Sequence, residues 1–141
     1  MFELKIVRER RQGYGPASHI REAADVYRAF REHFEALDRE EFLVVLVDGR
    51  NKVIGFNVVS VGTLTASLVH PREVFKPAIV GNAAAIILVH NHPSGDPEPS
   101  AEDKALTSRL TQAAELLGIR ILDHVVIGDE RYASFVALQL L

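Results

Sequence analysis

Apolar residues recur along this chain with two different periods, and the change of period marks its elements. Ile20, Ala23, Ala24, Tyr27, Phe30 and Phe34 fall every three or four positions, the spacing that gathers side chains onto one helical face. Ser18 is placed to cap that helix, and Gly13, Gly15 and Pro16 separate it from a strand-like N-terminal segment. The next run, FLVVLV from Phe42 to Val47, is continuously apolar and β-branched, which predicts a strand buried on both faces. Asp48-Gly49-Arg50-Asn51 is a turn signal, so Val53 to Val61 is expected to return as the second strand of a hairpin.

A further strand is expected over residues 63–68, and Pro71 and Asn82 then bracket a short helix carrying Val74, Phe75, Ala78 and Ile79. Ala84 to Val89 reads as another buried strand, with His90 at its C-terminal end. Ser100 opens a helix whose face is Leu106, Leu110, Ala113, Ala114 and Leu117, and Gly118 supplies its stop. Ile119 to Ile127 and Tyr132 to Phe135 follow as strands around the turn Gly128-Asp129-Glu130. This order predicts an α/β fold, a mixed β-sheet flanked by helices. There is no repeat or linker, so the 141 residues read as one compact domain. Residues 1–35 form an N-terminal strand and helix packing on a core of residues 36–141.

Composition narrows the setting. Apolar residues make up 48 % and charged residues 25 %, and no apolar run approaches the length of a membrane span. The absence of cysteine and of a signal-peptide pattern points to a cytoplasmic protein without disulfides. A net charge of −3 gives no global attraction to nucleic acid. The one basic cluster, Arg8, Arg10 and Arg11, reads as a solvated terminal strand. An exposed edge strand near the N terminus is also a place where two subunits could pair as a homodimer.

The chemistry concentrates in HNHPSGDPEPSAED, residues 90 to 103. Side chains two apart on an extended chain point the same way, so His90 and His92 can present both imidazoles to one point while Asn91 faces away. Catalytic zinc takes three protein ligands at about 2.0–2.2 Å for N and O, and keeps a fourth position for water. Asp103, in the first turn of the helix that Ser100 starts, is the strongest candidate for the third ligand. Pro93, Pro97 and Pro99 restrict the intervening loop and Gly95 permits a sharp bend. Ser100-x-x-Asp103 also reads as a capping box. Ser100 can instead, or in addition, donate to an oxyanion. Hydrolysis further needs a proton acceptor, and spacing alone does not choose it among Glu22, Glu32, Glu35, Glu40, Glu41, Glu73 and Glu98.

His-x-His, seven residues, then Ser-x-x-Asp resembles the JAMM (JAB/MPN+) metallopeptidase motif. HPREVFKPAI and ILDHVVIGDERYASF, together with residues 90 to 103, resemble the RadC family from about Ala36 onward. That resemblance implies a JAB/MPN, cytidine-deaminase-like fold and a Zn2+ held by His90, His92 and Asp103. It also implies a catalytic Glu on LDREEFLVV, falling on Glu40 with Glu41 as the near alternative. Asp123 and His124 match a family pair and are candidates for contacts behind the ligands or to substrate; a satisfied polar pair at a strand start is the other reading. About 35 residues precede the shared region, so a short form without the family's helix-hairpin-helix region is expected.

The resemblance implies a zinc-dependent peptidase or isopeptidase acting on an unidentified peptide or isopeptide substrate. The alternatives are a metal-dependent nuclease, in keeping with the family's DNA repair label, and a non-catalytic metal-stabilised binding module. Contiguous His-Asn-His does not match an HNH nuclease, whose three residues lie far apart in sequence. A chain without cysteine lacks the Cys pair of zinc nucleobase deaminases.

Overall fold

The computed structural model describes residues 1–3, 5, 19–62 and 69–141. The expected N-terminal strand, the arginine cluster and the strand over 63–68 lie outside the described residues, and the first helix is capped by Glu22, in a capping box with Asp25, instead of by the expected Ser18. Among those described, three helices and five strands follow in the order α1 (Ala23–Glu35), β1 (Glu41–Val47), β2 (Val53–Val61), α2 (Pro71–Val80), β3 (Ala85–Asn91), α3 (Ala101–Leu117), β4 (Arg120–Ile127) and β5 (Tyr132–Ser134).

The strands form one mixed sheet in the order β2-β1-β3-β4-β5. β1 pairs antiparallel with both β2 and β3, β3 runs parallel to β4, and β5 closes antiparallel on β4. α3 makes the crossover between the adjacent parallel strands β3 and β4, and the connection containing α2 carries the chain from β2 past β1 to β3. The β-branched runs of β1 and β3 occupy the middle because both of their faces are covered. Phe42, Val44, Leu46, Ile86 and Leu88 pack on Val74 and Phe75 of α2 and Leu106 and Leu110 of α3. Leu43, Val45, Val47, Ile87 and Val89 pack on Val26, Phe30 and Phe34 of α1. No helix among the described residues is long and apolar enough to cross a membrane.

Three differences from the pattern have local causes. β3 runs on through His90 and Asn91, because Phe42 pairs with His90 on one side and Val126 and Ile127 pair with His90 and Asn91 on the other. Leu117 is exposed at the end of α3, whereas Asp103 and Thr107 are buried on that helix's inner face. α2 stops at Gly81, one residue before Asn82. Gly118 ends α3 in the left-handed conformation at φ 67°, where the absence of a Cβ removes the steric penalty.

Candidate metal centre

The site is built where β3 ends and α3 begins, at the C-terminal edge of the parallel strand pair. His90 belongs to the last rungs of the sheet and is wholly buried. His92 lies one residue past β3, and its N–H still donates to the Ile127 carbonyl at 2.9 Å, so the strand direction carries over to it. The loop then turns back tightly. Gly95, at φ 91°, donates to the His92 carbonyl, and its own carbonyl accepts from Asp129 at 2.8 Å. Gly128 lies against this loop so closely that a Cβ there would meet the Gly95 oxygen at 2.3 Å and Pro97 at 2.8 Å.

Ser100 caps α3 as the sequence pattern predicts. Its Oγ accepts from the Asp103 N–H at 3.0 Å, and Asp103 Oδ2 accepts from the Ser100 N–H at 2.8 Å. The capping box therefore aims the carboxylate. Asp103 is 3 % exposed, with Oδ1 3.2 Å from His90 Nε2 and Oδ2 3.1 Å from His92 Nε2. The two Nε2 atoms are themselves 3.1 Å apart. One ligand atom from each of the three residues lies within 4.8 Å of the others.

This donor set fits a metal ion. Bonds of about 2.0–2.2 Å in a tetrahedral site put ligand atoms about 3.3–3.6 Å apart, a few tenths of an ångström beyond the spacing found. His92 Nδ1 lies 2.8 Å from the Asp96 carbonyl, which can only accept, so Nδ1 carries the hydrogen and Nε2 is the atom presented to the cluster. His90 Nδ1 lies 2.7 Å from His124 Nε2. Each imidazole is thus oriented through its far nitrogen, the arrangement typical of metal-ligating histidines.

The electrostatics agree with a site organised around positive charge. Burial pushes the Asp103 carboxyl up, but the close His90 and His92 rings and the Ser100 N–H outweigh it and hold the group well below the usual carboxylate range. The Asp103 contact raises the His92 pKa against the opposing effect of burial. Burial, with His90 adding to it, drives His124 well below an ordinary histidine.

Glu40 sits at the entry to β1 and lines a cleft of about 520 Å³ with His92, Ser100 and Asp103. Glu41 points elsewhere and pairs with His33 of α1. The sequence pattern does not reveal what holds this segment in place, which is Asn91. The Asn91 Oδ1 accepts from the Glu41 N–H at 2.8 Å, and its Nδ2 donates to the Arg39 carbonyl at 3.1 Å.

Asp123 and His124 alternate to opposite faces of β4. His124 stacks on Phe135 and meets Phe42 edge-on behind His90. Asp123 instead accepts from the His124 N–H, the Ser134 hydroxyl and the Val136 N–H, and lines a separate cavity beside α1. It fastens β5 and the turn after it. Thr107 is the other residue the motif does not announce, with its hydroxyl 2.6 Å from His124 Nδ1.

A mixed sheet with helices on both faces and a His-His-Asp cluster at a strand end defines an α/β domain of the JAB/MPN type, able to hold a metal ion. The chain belongs to the RadC family, whose RadC-like JAB domain model matches residues 20–140. Proteins named UPF0758 protein from Pelobacter propionicus, Geobacter sulfurreducens and Methanococcoides burtonii are 58 %, 51 % and 48 % identical over 106, 116 and 119 residues. The alignments cover 74 %, 82 % and 84 % of this chain, and 46 %, 51 % and 52 % of those relatives. The chain therefore spans about half the length of the curated relatives it matches.

Proposed function

We propose that the domain is a zinc-dependent hydrolase of amide bonds, a peptidase or isopeptidase. The observation that carries this reading is the clustering of His90, His92 and Asp103 at a cleft that His92 and Asp103 share with an acidic side chain, Glu40, outside that cluster. Zinc held by the three ligands supplies Lewis acidity toward a carbonyl oxygen and toward water. Glu40 takes the proton from the attacking water and delivers it to the departing amine nitrogen as the C–N bond breaks. Ser100 spends an oxygen lone pair on the helix cap, and its own hydrogen is given to the carbonyl oxygen as that atom gains negative charge.

The lining of the cleft favours amide substrates over nucleic acid. Glu40, Asp96, Glu98, Glu102 and Asp103 contribute carboxylates, and among the described residues no Lys or Arg lines the cleft. A phosphate backbone is recognised mainly through Lys and Arg, whereas an amine leaving group or a basic peptide meets no repulsion here.

Elemental analysis of the purified chain is expected to give about one zinc per molecule. Peptide and isopeptide libraries, together with single- and double-stranded DNA, are then offered to wild type and Glu40→Ala. Metal retained with amide hydrolysis lost in Glu40→Ala supports the reading. Glu40-dependent DNA cleavage replaces it with a nuclease, and no metal-dependent cleavage of any substrate leaves a binding module.

A further inference from the structure

Behind the metal-facing edge of His90 stand His124 and Thr107, at 0 % and 1 % exposure. Counting hydrogens fixes the direction of the bonds between them. The Asp103 carbonyl oxygen can only accept, so the Thr107 hydroxyl gives it its hydrogen across 2.8 Å. Turning that hydrogen away would set two lone-pair oxygens against each other at the same distance. With its hydrogen committed, Thr107 Oγ1 accepts from His124 Nδ1 at 2.6 Å, and Nδ1 is therefore protonated. Enclosed between Phe42 and Phe135, with only a hydroxyl and an imidazole on its nitrogens, His124 is neutral and its Nε2 is bare. That bare nitrogen accepts from His90 Nδ1 at 2.7 Å.

The chain of bonds has one consequence for the site. His90 carries its hydrogen on Nδ1 and offers an unprotonated Nε2 to the ion. We infer that the Thr107 hydroxyl, acting through His124, locks His90 in its metal-binding tautomer and so sets how tightly the site holds zinc. The inference rests on the reading of His90 as a zinc ligand. Thr107 and His124 are positioning residues, since neither touches the ion or a substrate. Without the hydroxyl, the His124 Nδ1–H has no acceptor in a dry pocket. His124 relieves this by moving its hydrogen to Nε2 and donating to His90, which drives the His90 hydrogen onto the nitrogen that the metal needs.

Zinc affinity measured by chelator competition on the 141-residue chain tests this, with wild type, Thr107→Val and Thr107→Ser side by side. Valine keeps the shape of threonine and loses the hydroxyl; serine keeps the hydroxyl. Thr107→Val is expected to bind zinc about 10–100-fold more weakly, and Thr107→Ser to bind as wild type does. Ring ¹⁵N shifts of the metal-free proteins give a second readout, one that mere loosening of the fold would not produce. In wild type and Thr107→Ser, His90 should show a protonated Nδ1, and in Thr107→Val a bare Nδ1 with the hydrogen on Nε2.

Equal zinc affinity in Thr107→Val, or a bare Nδ1 on His90 in the metal-free wild type, overturns the inference. If Thr107→Val does not fold, the spectra of wild type and Thr107→Ser decide it. A wild type that takes up no zinc refutes the metal-site reading instead, while the nitrogen shifts still report whether the tautomer is locked.

Discussion

Asn91, between the two histidines, should be worth more to the protein than its place outside the ligand set suggests. The β1–β3 ladder reaches the pair Phe42 and His90; beyond it the Asn91 carboxamide supplies the next two bonds, at 2.8 and 3.1 Å, to the backbone on either side of Glu40. Asn91→Ala removes both. Each net hydrogen bond contributes about 0.5–1.5 kcal/mol, so the loss is expected to be about 1–3 kcal/mol. Asn91 is 4 % exposed, so water does not readily replace what is removed.

Urea unfolding of wild type, Asn91→Asp and Asn91→Ala measures this, with the m-value showing whether the transition stays two-state. Asn91→Asp keeps an acceptor for the Glu41 N–H but buries a carboxylate oxygen against the Arg39 carbonyl, so it should be no more stable than Asn91→Ala. Because the imidazoles face the opposite side of β3, zinc affinity should hold in both variants. Displacing Glu40 by about 1 Å is enough to slow amide hydrolysis about 10²-fold. An Asn91→Ala protein within about 0.5 kcal/mol of wild type, with hydrolysis unchanged, would refute the claim that this side chain secures the catalytic segment.

The remaining expectations concern the loop, the cap, the metal and pH. Gly128→Ala forces the 93–99 loop away from a 2.3 Å approach; it should destabilise the fold by about 1–3 kcal/mol and weaken zinc binding, both read by thermal melts with and without zinc. Ser100→Ala should cost about 1 kcal/mol of stability and, separately, about 10²-fold in hydrolysis; a stability loss alone would confine Ser100 to capping. Zinc at about 100 times its dissociation constant should stabilise wild type by about 2.7 kcal/mol, a gain that a chelator reverses and His92→Ala abolishes. The Asp25 carboxylate accepts from the Arg21 and Glu22 N–H groups at the start of α1, and its pKa is lowered, first by the Arg21 bond and then by Arg28. A carboxyl with a lowered folded pKa stabilises above its unfolded value of 3.8 and loses that contribution as pH falls through the folded value. Asp25→Ala should therefore be less stable than wild type at neutral pH, and urea titrations should show the gap closing below about pH 4.

The His-His-Asp cluster was readable from sequence because its geometry is local. Two histidines at i and i+2 on a strand end and an acid in the first turn of the next helix are placed by elements whose periods the apolar pattern reveals. The support behind the ligands could not be read that way. His124 reaches His90 across 34 residues, Thr107 meets His124 across 17, and Asn91 meets the Glu40 segment across 50 or more. Those contacts depend on strand order, which a single sequence does not state. Thr107 left a faint signal, a polar residue beside Leu106 and one turn before Leu110 on the inner face of α3. Leu117 misled for the opposite reason, since it keeps the helical period but lies where α3 has run past the sheet.

Asp103 shows why the cluster stands ready for an ion without having to be folded by one. Small zinc domains often draw most of their folding energy from the metal, and their ligands are scattered without it. Here the carboxylate is held by the Ser100 N–H that the helix cap requires, and the two imidazoles are held by a loop carbonyl and a buried histidine. None of these bonds involves an ion. Three ligand atoms near 3.1 Å from one another are then maintained by structure the fold needs for other reasons. Binding energy that would otherwise order the ligands is left to raise affinity, which is the advantage of a preorganised site. The same economy makes the Asp103 position sensitive, because one side chain ends a loop, starts a helix and completes the ligand set.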